Sequence, residues 1–340
     1  MYDKETIKAV TDVPPIIEFP GMNNAAQHAL IPIILNMDVT ANKKLTVRPG
    51  FEQWLALPGA HSVFSDGIDL FCPATGSATP ESIYKINVSD ASKSEVSSIT
   101  GKGHPISYVK TKERLFMSSK AWCGVYTYST EVIGSWGTTY SDDPADIDDM
   151  YHSEELLTLS VIPAPKMESI MLWGGRIWGA VGKKVYFNDP PMAFEMFRSD
   201  TFLEFTEDIV AVAGCFEGMY FMSEDNTWFG LGIDPYKMVL DRVGDGALQG
   251  SLQYIKNSQK FGKNIPIWTS KNGIVVGTGG IPIPLTKGIV KFYGAGMAAA
   301  LASLKNGVNQ YLCSMPLPDT DVGSFSDSAT VQVFRDGALL

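Results

Sequence analysis

The chain is poor in the residues that build most catalytic and metal centres. Its 340 residues include four histidines, His28, His61, His104 and His152, and four cysteines, Cys72, Cys123, Cys215 and Cys313. No histidine has a partner at metal-ligand spacing, and neither HExxH nor CxxC occurs, which excludes the common zinc signatures. GxSxG, the phosphate-binding P-loop and the Rossmann fingerprint are missing too. Gly277-Thr278-Gly279-Gly280 lacks the lysine and the following helix of a phosphate loop, so it reads as a turn. The cysteines lie far apart and three of them sit in apolar runs. Free, buried thiols are therefore expected rather than disulfides.

Long apolar runs are also missing. The most apolar late stretch, Met297 to Leu304, is far short of the roughly 20 residues that a spanning helix needs. The opening MYDKETIKAV is charged and lacks the apolar centre of a secretory leader. These features lead us to expect a soluble protein made in a cytoplasm. Only 19% of the residues are charged, and the formal net charge is −10. That balance argues against duplex binding through counterion release. The charge is also unevenly spread. No Lys or Arg lies between Lys120 and Lys166, where SDDPADIDDMYHSEE (141–155) carries Asp142, Asp143, Asp146, Asp148, Asp149, Glu154 and Glu155. Residues 246–300 hold no Asp or Glu but six lysines: Lys256, Lys260, Lys263, Lys271, Lys287 and Lys291. The plain reading is two solvated surfaces. The sharper reading is complementary charge across a subunit contact, with the seven acids and Lys256, Lys260, Lys263 and Lys271 as candidate contact residues. The acidic spacing matches no EF-hand loop, so no Ca²⁺ site is assigned.

Turn chemistry is plentiful instead. The chain has 32 Gly and 20 Pro beside a 45% hydrophobic content, enough for a sizeable core. Short β-branched or aromatic runs meet at Gly, Asn and Asp, the signature of antiparallel hairpins. Between Ser169 and Val243 this happens twice over, as Met171-Leu172-Trp173 to Ile177-Trp178 and as Val210-Ala211-Val212 to Met219-Tyr220-Phe221. Each pair is followed by a second hairpin. Across the chain the first apolar residues after such turns are Ile68, Leu115, Ile177, Met219, Ile274 and Val308. They are spaced by 47, 62, 42, 55 and 34 residues, near the ~40–50 residues of a propeller blade. The expected fold is all-β: one β-propeller-like domain (31–340) of about six or seven irregular blades. An extended, proline-punctuated arm (1–30) precedes it and an acidic insertion interrupts it near 141–155. A pair of β-sandwiches is the alternative. Trp178, Tyr220, Phe221, Val275 and Val276 are expected in the core. Ile281-Pro282-Ile283-Pro284-Leu285, with two prolines, is expected on an edge.

The order of several segments resembles a family of phage virion proteins, the propeller-like nozzle or hub proteins of short-tailed phages and the related minor tail proteins of long-tailed ones. The likeness rests on PGMNNAAQHALIPIILNMDVTANKKLTVRPGF, PAPKMESIMLWGGRIWGAVGKKVYFNDPPMAFEMF, FMSEDNTWFGLGIDPYKMVLDRV, and IPIWTSKNGIVVGTGGIPIPLTKG with a closing VQVFRDG. Together these span most of the chain from Pro20 to Gly337. The Lys43-Lys44 pair and the acidic insertion depart from the pattern. The resemblance implies a structural tail component, with no catalysis and no cofactor. Such a component forms a homo-oligomeric ring or baseplate around the tail axis in the virion and docks adaptor, hub or fibre proteins. It also allows transient passage of DNA. The rival is a carbohydrate-binding or glycoside-cleaving propeller, suggested by seven tryptophans: Trp54, Trp122, Trp136, Trp173, Trp178, Trp228 and Trp268.

Overall fold

The computed structural model describes residues 37–39, 45–47, 54–76, 81–99, 103–137, 161–256, 264–286, 297–305, 308–315, 330–335 and 338–339. The proposed arm (1–30) and the acidic insertion lie outside these residues. All the regular structure described is β. A small hairpin, β1 (Met37–Val39) with β2 (Leu45–Val47), precedes six four-stranded antiparallel sheets that follow one another along the chain.

Blade 1 is β3 (Phe64–Ser65), β4 (Asp69–Ala74), β5 (Ser82–Asn87) and β6 (Lys93–Ser98). Blade 2 is β7 (Ser107–Lys110), β8 (Arg114–Ser118), β9 (Cys123–Thr127) and β10 (Val132–Gly134). A two-stranded ribbon then joins β11 (Val161–Ile162) to β15 (Phe197–Arg198). Blade 3 is β12 (Ser169–Trp173), β13 (Arg176–Val181), β14 (Lys184–Phe187) and β16 (Phe202–Glu204). Blade 4 is β17 (Ala211–Gly214), β18 (Gly218–Met222), β19 (Asn226–Leu231) and β20 (Val239–Asp245). Blade 5 is β21 (Gln253–Ile255), β22 (Ile265–Ser270), β23 (Gly273–Val276) and β24 (Ile283–Pro284). Blade 6 is β25 (Ala299–Lys305), β26 (Val308–Met315), β27 (Thr330–Arg335) and β28 (Ala338–Leu339). Every blade is a simple meander, which makes the protein propeller-like. The proline-bearing β24 is an edge strand, where a missing N–H costs no ladder bond.

The core explains why the middle strands read as unbroken apolar runs. Blades stack face to face, so successive side chains of one strand enter two different seams. In β8, Phe116 enters the seam with blade 3, while Leu115 and Met117 enter the seam with blade 1. In β13, Ile177 faces blade 2 and Trp178 faces blade 4. In β18, Met219 and Phe221 face blade 3, and Tyr220 and Met222 face blade 5. In β22, Trp268 faces blade 4 and Ile267 faces blade 6. The five residues expected in the core are all buried. The outer strands β6 and β20 have no buried residue and carry several polar ones.

One spacing marker falls on a different strand from the rest. Ile68 immediately precedes β4, while Leu115, Ile177, Met219 and Val308 lie on the second strands of their blades, but Ile274 lies on β23, a third strand. The tight turn Lys271-Asn272-Gly273 joins β22 to β23, whereas β21 and β22 are separated by residues 256–264 without a hairpin signature. The first apolar residue of the second strand, β22, is Ile265. The run from Met219 through Ile265 to Val308 then becomes 46 and 43 residues, more even than the 55 and 34 read from the sequence.

Serine hydroxyls tie the innermost strands together. Ser62 Oγ accepts from the Ile106 amide at 2.9 Å, Ser107 Oγ from the Ile170 amide at 3.0 Å, and Ser169 Oγ from the Val212 amide at 3.2 Å. Each bond crosses from one blade to the next, so small polar residues stand where an apolar one would pack as well. We expect Ser107→Ala to cost about 1–2 kcal/mol in urea unfolding, because it strands a backbone donor. A loss within experimental error would show that water replaces the hydroxyl.

The four cysteines are free, as expected, with Cys72, Cys215 and Cys313 buried. Burial pushes the Cys72 thiol up to about 11. In the folded protein a thiol reagent at mildly alkaline pH should therefore leave these three largely unmodified, and denaturation should release all four. Rapid modification of all four in the native state would contradict the burial.

Candidate docking end of the propeller

A meander puts the turn between its first and second strands at the same end as the turn between its third and fourth. Backbone bonds record this: Ile68 O accepts from Val88 N, Glu113 O from Tyr128 N, Gly175 O from Met192 N and Glu217 O from Gly232 N. We call this the first end. The other turns, and the connections between blades, lie at the second end.

On blades 3 to 5 the first end carries exposed apolar side chains beside the charged residues Glu217, Asp234 and Lys237. Phe216, in the β17–β18 turn, is 98% exposed, and Met192, Ile233, Tyr236 and Ile281 are each more than half exposed. They stand on the first-end turns of three neighbouring blades. Ile233 lies over Gly174, Met192 lies beside Gly175, and Gly279, two residues before Ile281, lies against the Glu217 side chain. The surface is carried on well-anchored turns. Trp173 Nε1 donates to Cys215 O at 2.7 Å, and Arg176 Nη1 donates to Asn188 O at 2.6 Å and to Asp189 at 2.7 Å. The Tyr236 hydroxyl donates to the other Asp189 oxygen at 2.7 Å. Burial of that hydroxyl, and the carboxylate that needs its proton, push the phenol up to about 12. The ring thus stays at the surface while its polar tip turns inward, a good arrangement for a contact residue.

Blades 1 and 2 present charge at the same end. Lys85 bridges Asp69 at 3.4 Å and Glu131 at 2.6 Å, which ties the two blades together and raises the lysine pKa, chiefly through Glu131. Lys110 approaches Asp66 at 3.9 Å. Burial raises the Asp66 pKa, but the amides of Asp69 and Ile68 and the Lys110 charge outweigh it and hold the carboxyl below its usual range.

Around the axis, blades 3 and 5 meet over blade 4. Tyr254 Oη contacts Gly214 O at 3.1 Å and Met171 Sδ at 3.6 Å, and Gln249 Nε2 donates to Glu168 at 3.2 Å. All four residues of β17 beneath are buried. Side chains of blades 3 and 5 thus meet across the inner strand of blade 4.

The sequence-based candidate residues divide unevenly. Asp142, Asp143, Asp146, Asp148, Asp149, Glu154, Glu155, Lys260 and Lys263 lie outside the described residues. Lys256 is exposed directly after β21, at the first end. Lys271 lies at the second end, paired with Asp225 at 2.7 Å and Glu224 at 3.8 Å. Of the tryptophans, Trp136, Trp178 and Trp268 are buried and Trp54 is exposed. Sequence reasoning missed a polar group at His61, whose Nε2 lies 2.5 Å from the buried Glu81 and whose Nδ1 lies 2.9 Å from Ser62 Oγ. Ser62 has a left-handed φ of 48°, and its hydroxyl receives the Ile106 amide. The arrangement fastens blade 1 to blade 2. Among the described residues, no three His, Cys, Asp or Glu side chains are grouped to hold a metal ion. No helix there is long and apolar enough to cross a membrane.

No known family profile matches the sequence, and no curated protein matches it. Among solved structures, three similar to the chain at low identity are the following. The chain is similar to tricorn protease (13% identity, TM-score 0.28, 81% of this chain and 25% of that one). It is similar to the extracellular domain of a putative hybrid two-component system from B. thetaiotaomicron (9%, 0.46, 82% and 33%). It is also similar to BBS1N, solved in complex with ARL6DN (13%, 0.49, 84% and 87%). The chain spans about a quarter and a third of the first two proteins.

Proposed function

We propose that this chain is a structural component of a phage tail, of the nozzle, hub or baseplate type, that assembles with further copies and docks neighbouring tail proteins. The observation that carries this reading is the set of exposed apolar side chains on the first-end turns of blades 3 to 5, with Phe216 the most exposed of them. Large apolar side chains held on rigid turns are suited to a lasting protein contact, since little ordering entropy remains to be lost on binding. The ordered run of segments similar to tail proteins favours the same role. The reading involves no catalysis and no cofactor.

In this reading DNA runs through a lumen enclosed by several copies. A net charge of −10 keeps such a wall from holding phosphate, whereas clustered Lys and Arg would retain it.

The test is location. Antibodies against the chain should label the tails of particles in lysates of the source culture, and its peptides should co-sediment with those particles. Recovery only in the particle-free fraction would overturn the assignment. Glycan-array binding lost on Trp54→Ala or Tyr236→Ala would support the carbohydrate reading in its place.

A further inference from the structure

We propose that Ser62, His61 and Glu81 form a hydrolytic site at the second end of the propeller, with Ser62 as a nucleophile toward small carboxylic esters. The docking role uses the first end and none of these residues, so neither reading rests on the other.

The three side chains form one hydrogen-bonded line. His61 Nε2 lies 2.5 Å from Glu81 Oε1, and His61 Nδ1 lies 2.9 Å from Ser62 Oγ. An ionised carboxylate only accepts, so Glu81 fixes the imidazole proton on Nε2. Nδ1 is then an acceptor, and it faces the Ser62 hydroxyl. The Ser62 oxygen already receives the Ile106 amide, so its own hydrogen is the one that points at Nδ1. This is the order of nucleophile, base and orienting carboxylate that activates a serine. Glu81 is buried, and the Gly103 amide lies 3.4 and 3.3 Å from its two oxygens. The carboxylate is therefore held in place beside the imidazole.

The joint between blades 1 and 2 does not by itself call for this arrangement. Ser107 and Ser169 make the same bond to the next blade. The residues before them are Ile106 and Glu168, so neither serine follows an imidazole. Ser107 also donates its hydroxyl proton to the Ile170 carbonyl at 3.3 Å, which keeps that proton on the backbone. Ser62 alone of the three has a left-handed φ, 48°, a conformation that costs any residue with a Cβ and that gathers at functional sites. His61 and Ser62 are half-buried between exposed Ala60 and Val63, so a small ester reaches the hydroxyl from solvent.

In the reaction the Ser62 proton passes to Nδ1 as Oγ bonds to the ester carbonyl carbon. The bond from that carbon to the alcohol oxygen then breaks, and the proton leaves with the alcohol. Water gives a proton to the same nitrogen and attacks the acyl-serine. The carboxylic acid departs, and the proton returns to Oγ. Glu81 offsets the positive charge that the imidazole carries meanwhile.

A fluorophosphonate probe and p-nitrophenyl acetate test the proposal on the full chain. The probe should attach to Ser62, identified by peptide mass, and leave Ser107 unmodified. Ser62→Ala should take no label. His61→Gln should slow both labelling and ester hydrolysis at least about 100-fold, as expected when a general base is lost. It keeps a donor for Glu81, so its thermal melt should match the wild type. Glu81→Gln should lower kcat and leave KM in place, because Glu81 touches the imidazole and not the ester. A wild type that takes no label at Ser62 overturns the proposal. So does labelling of Ser62 that proceeds at the same rate in His61→Gln, which would mean that the imidazole only fastens the joint.

Discussion

Replacing Trp178 with alanine should cost about 3–5 kcal/mol of folding free energy, the range for large aromatic residues removed from a packed core. The side chain is fully buried in β13 and fills the seam between blades 3 and 4. Its ring packs against Phe187 at 4.9 Å and Phe221 at 6.1 Å, and its indole N–H donates to Trp173 O at 3.2 Å. The deletion therefore opens a cavity beside Val185, Met219 and Phe221 and removes the indole hydrogen bond. Trp178→Phe should cost less, about 1–2 kcal/mol, since it keeps most of the packing and loses the bond. Urea or thermal denaturation of both variants reads the difference. A loss below about 1 kcal/mol for the alanine variant would place Trp178 outside the core and undo the seam.

The second large effect is expected at Gly218, the first residue of β18. A methyl group there would overlap the carbonyl oxygen of Gly230 on β19 and press on the Phe229 ring. Gly218 pairs with Leu231 at the very end of the ladder, so the backbone relieves the overlap only by breaking the pairing beside the Phe216 turn. Gly218→Ala should cost about 1–3 kcal/mol, the usual penalty for overpacking. Gly134→Ala is the control, because its added methyl meets nothing within 4 Å. Equal stability of the two variants would show that blade 4 adjusts freely at this turn.

Both effects concern strands that were visible in the sequence, for a physical reason. β13 and β18 are buried on both faces, so they appear as dense apolar runs between glycine turns, and their boundaries follow. Blade 5 was legible only in part, because no compact turn marks the connection from β21 to β22, so a later turn took its place in the count. The docking surface was invisible for the opposite reason. Phe216 sits inside Gly214-Cys215-Phe216-Glu217-Gly218, where an aromatic next to strand residues reads as core. Only the fold shows that it stands on the turn. The serine bonds between blades were equally hidden, since Ser107 and Ser169 look like ordinary strand-end polar residues. Charge segregation was readable in full, but which lysines remain available was not, because the Lys271–Asp225 pair depends on two blades coming together.

The contacts that join blades 3 and 5 across the axis have a mechanical consequence. A disc whose sectors touch only their neighbours deforms like an iris, with each sector tilting a little. Here Tyr254 and Gln249 act as cross-braces over the hub, so tilting blade 4 alone strains three sectors at once. Force applied at the Phe216 end is passed through the braced half to the connections at the far end. Blades 3 to 5 should therefore move more nearly as one body than blades that touch only their neighbours.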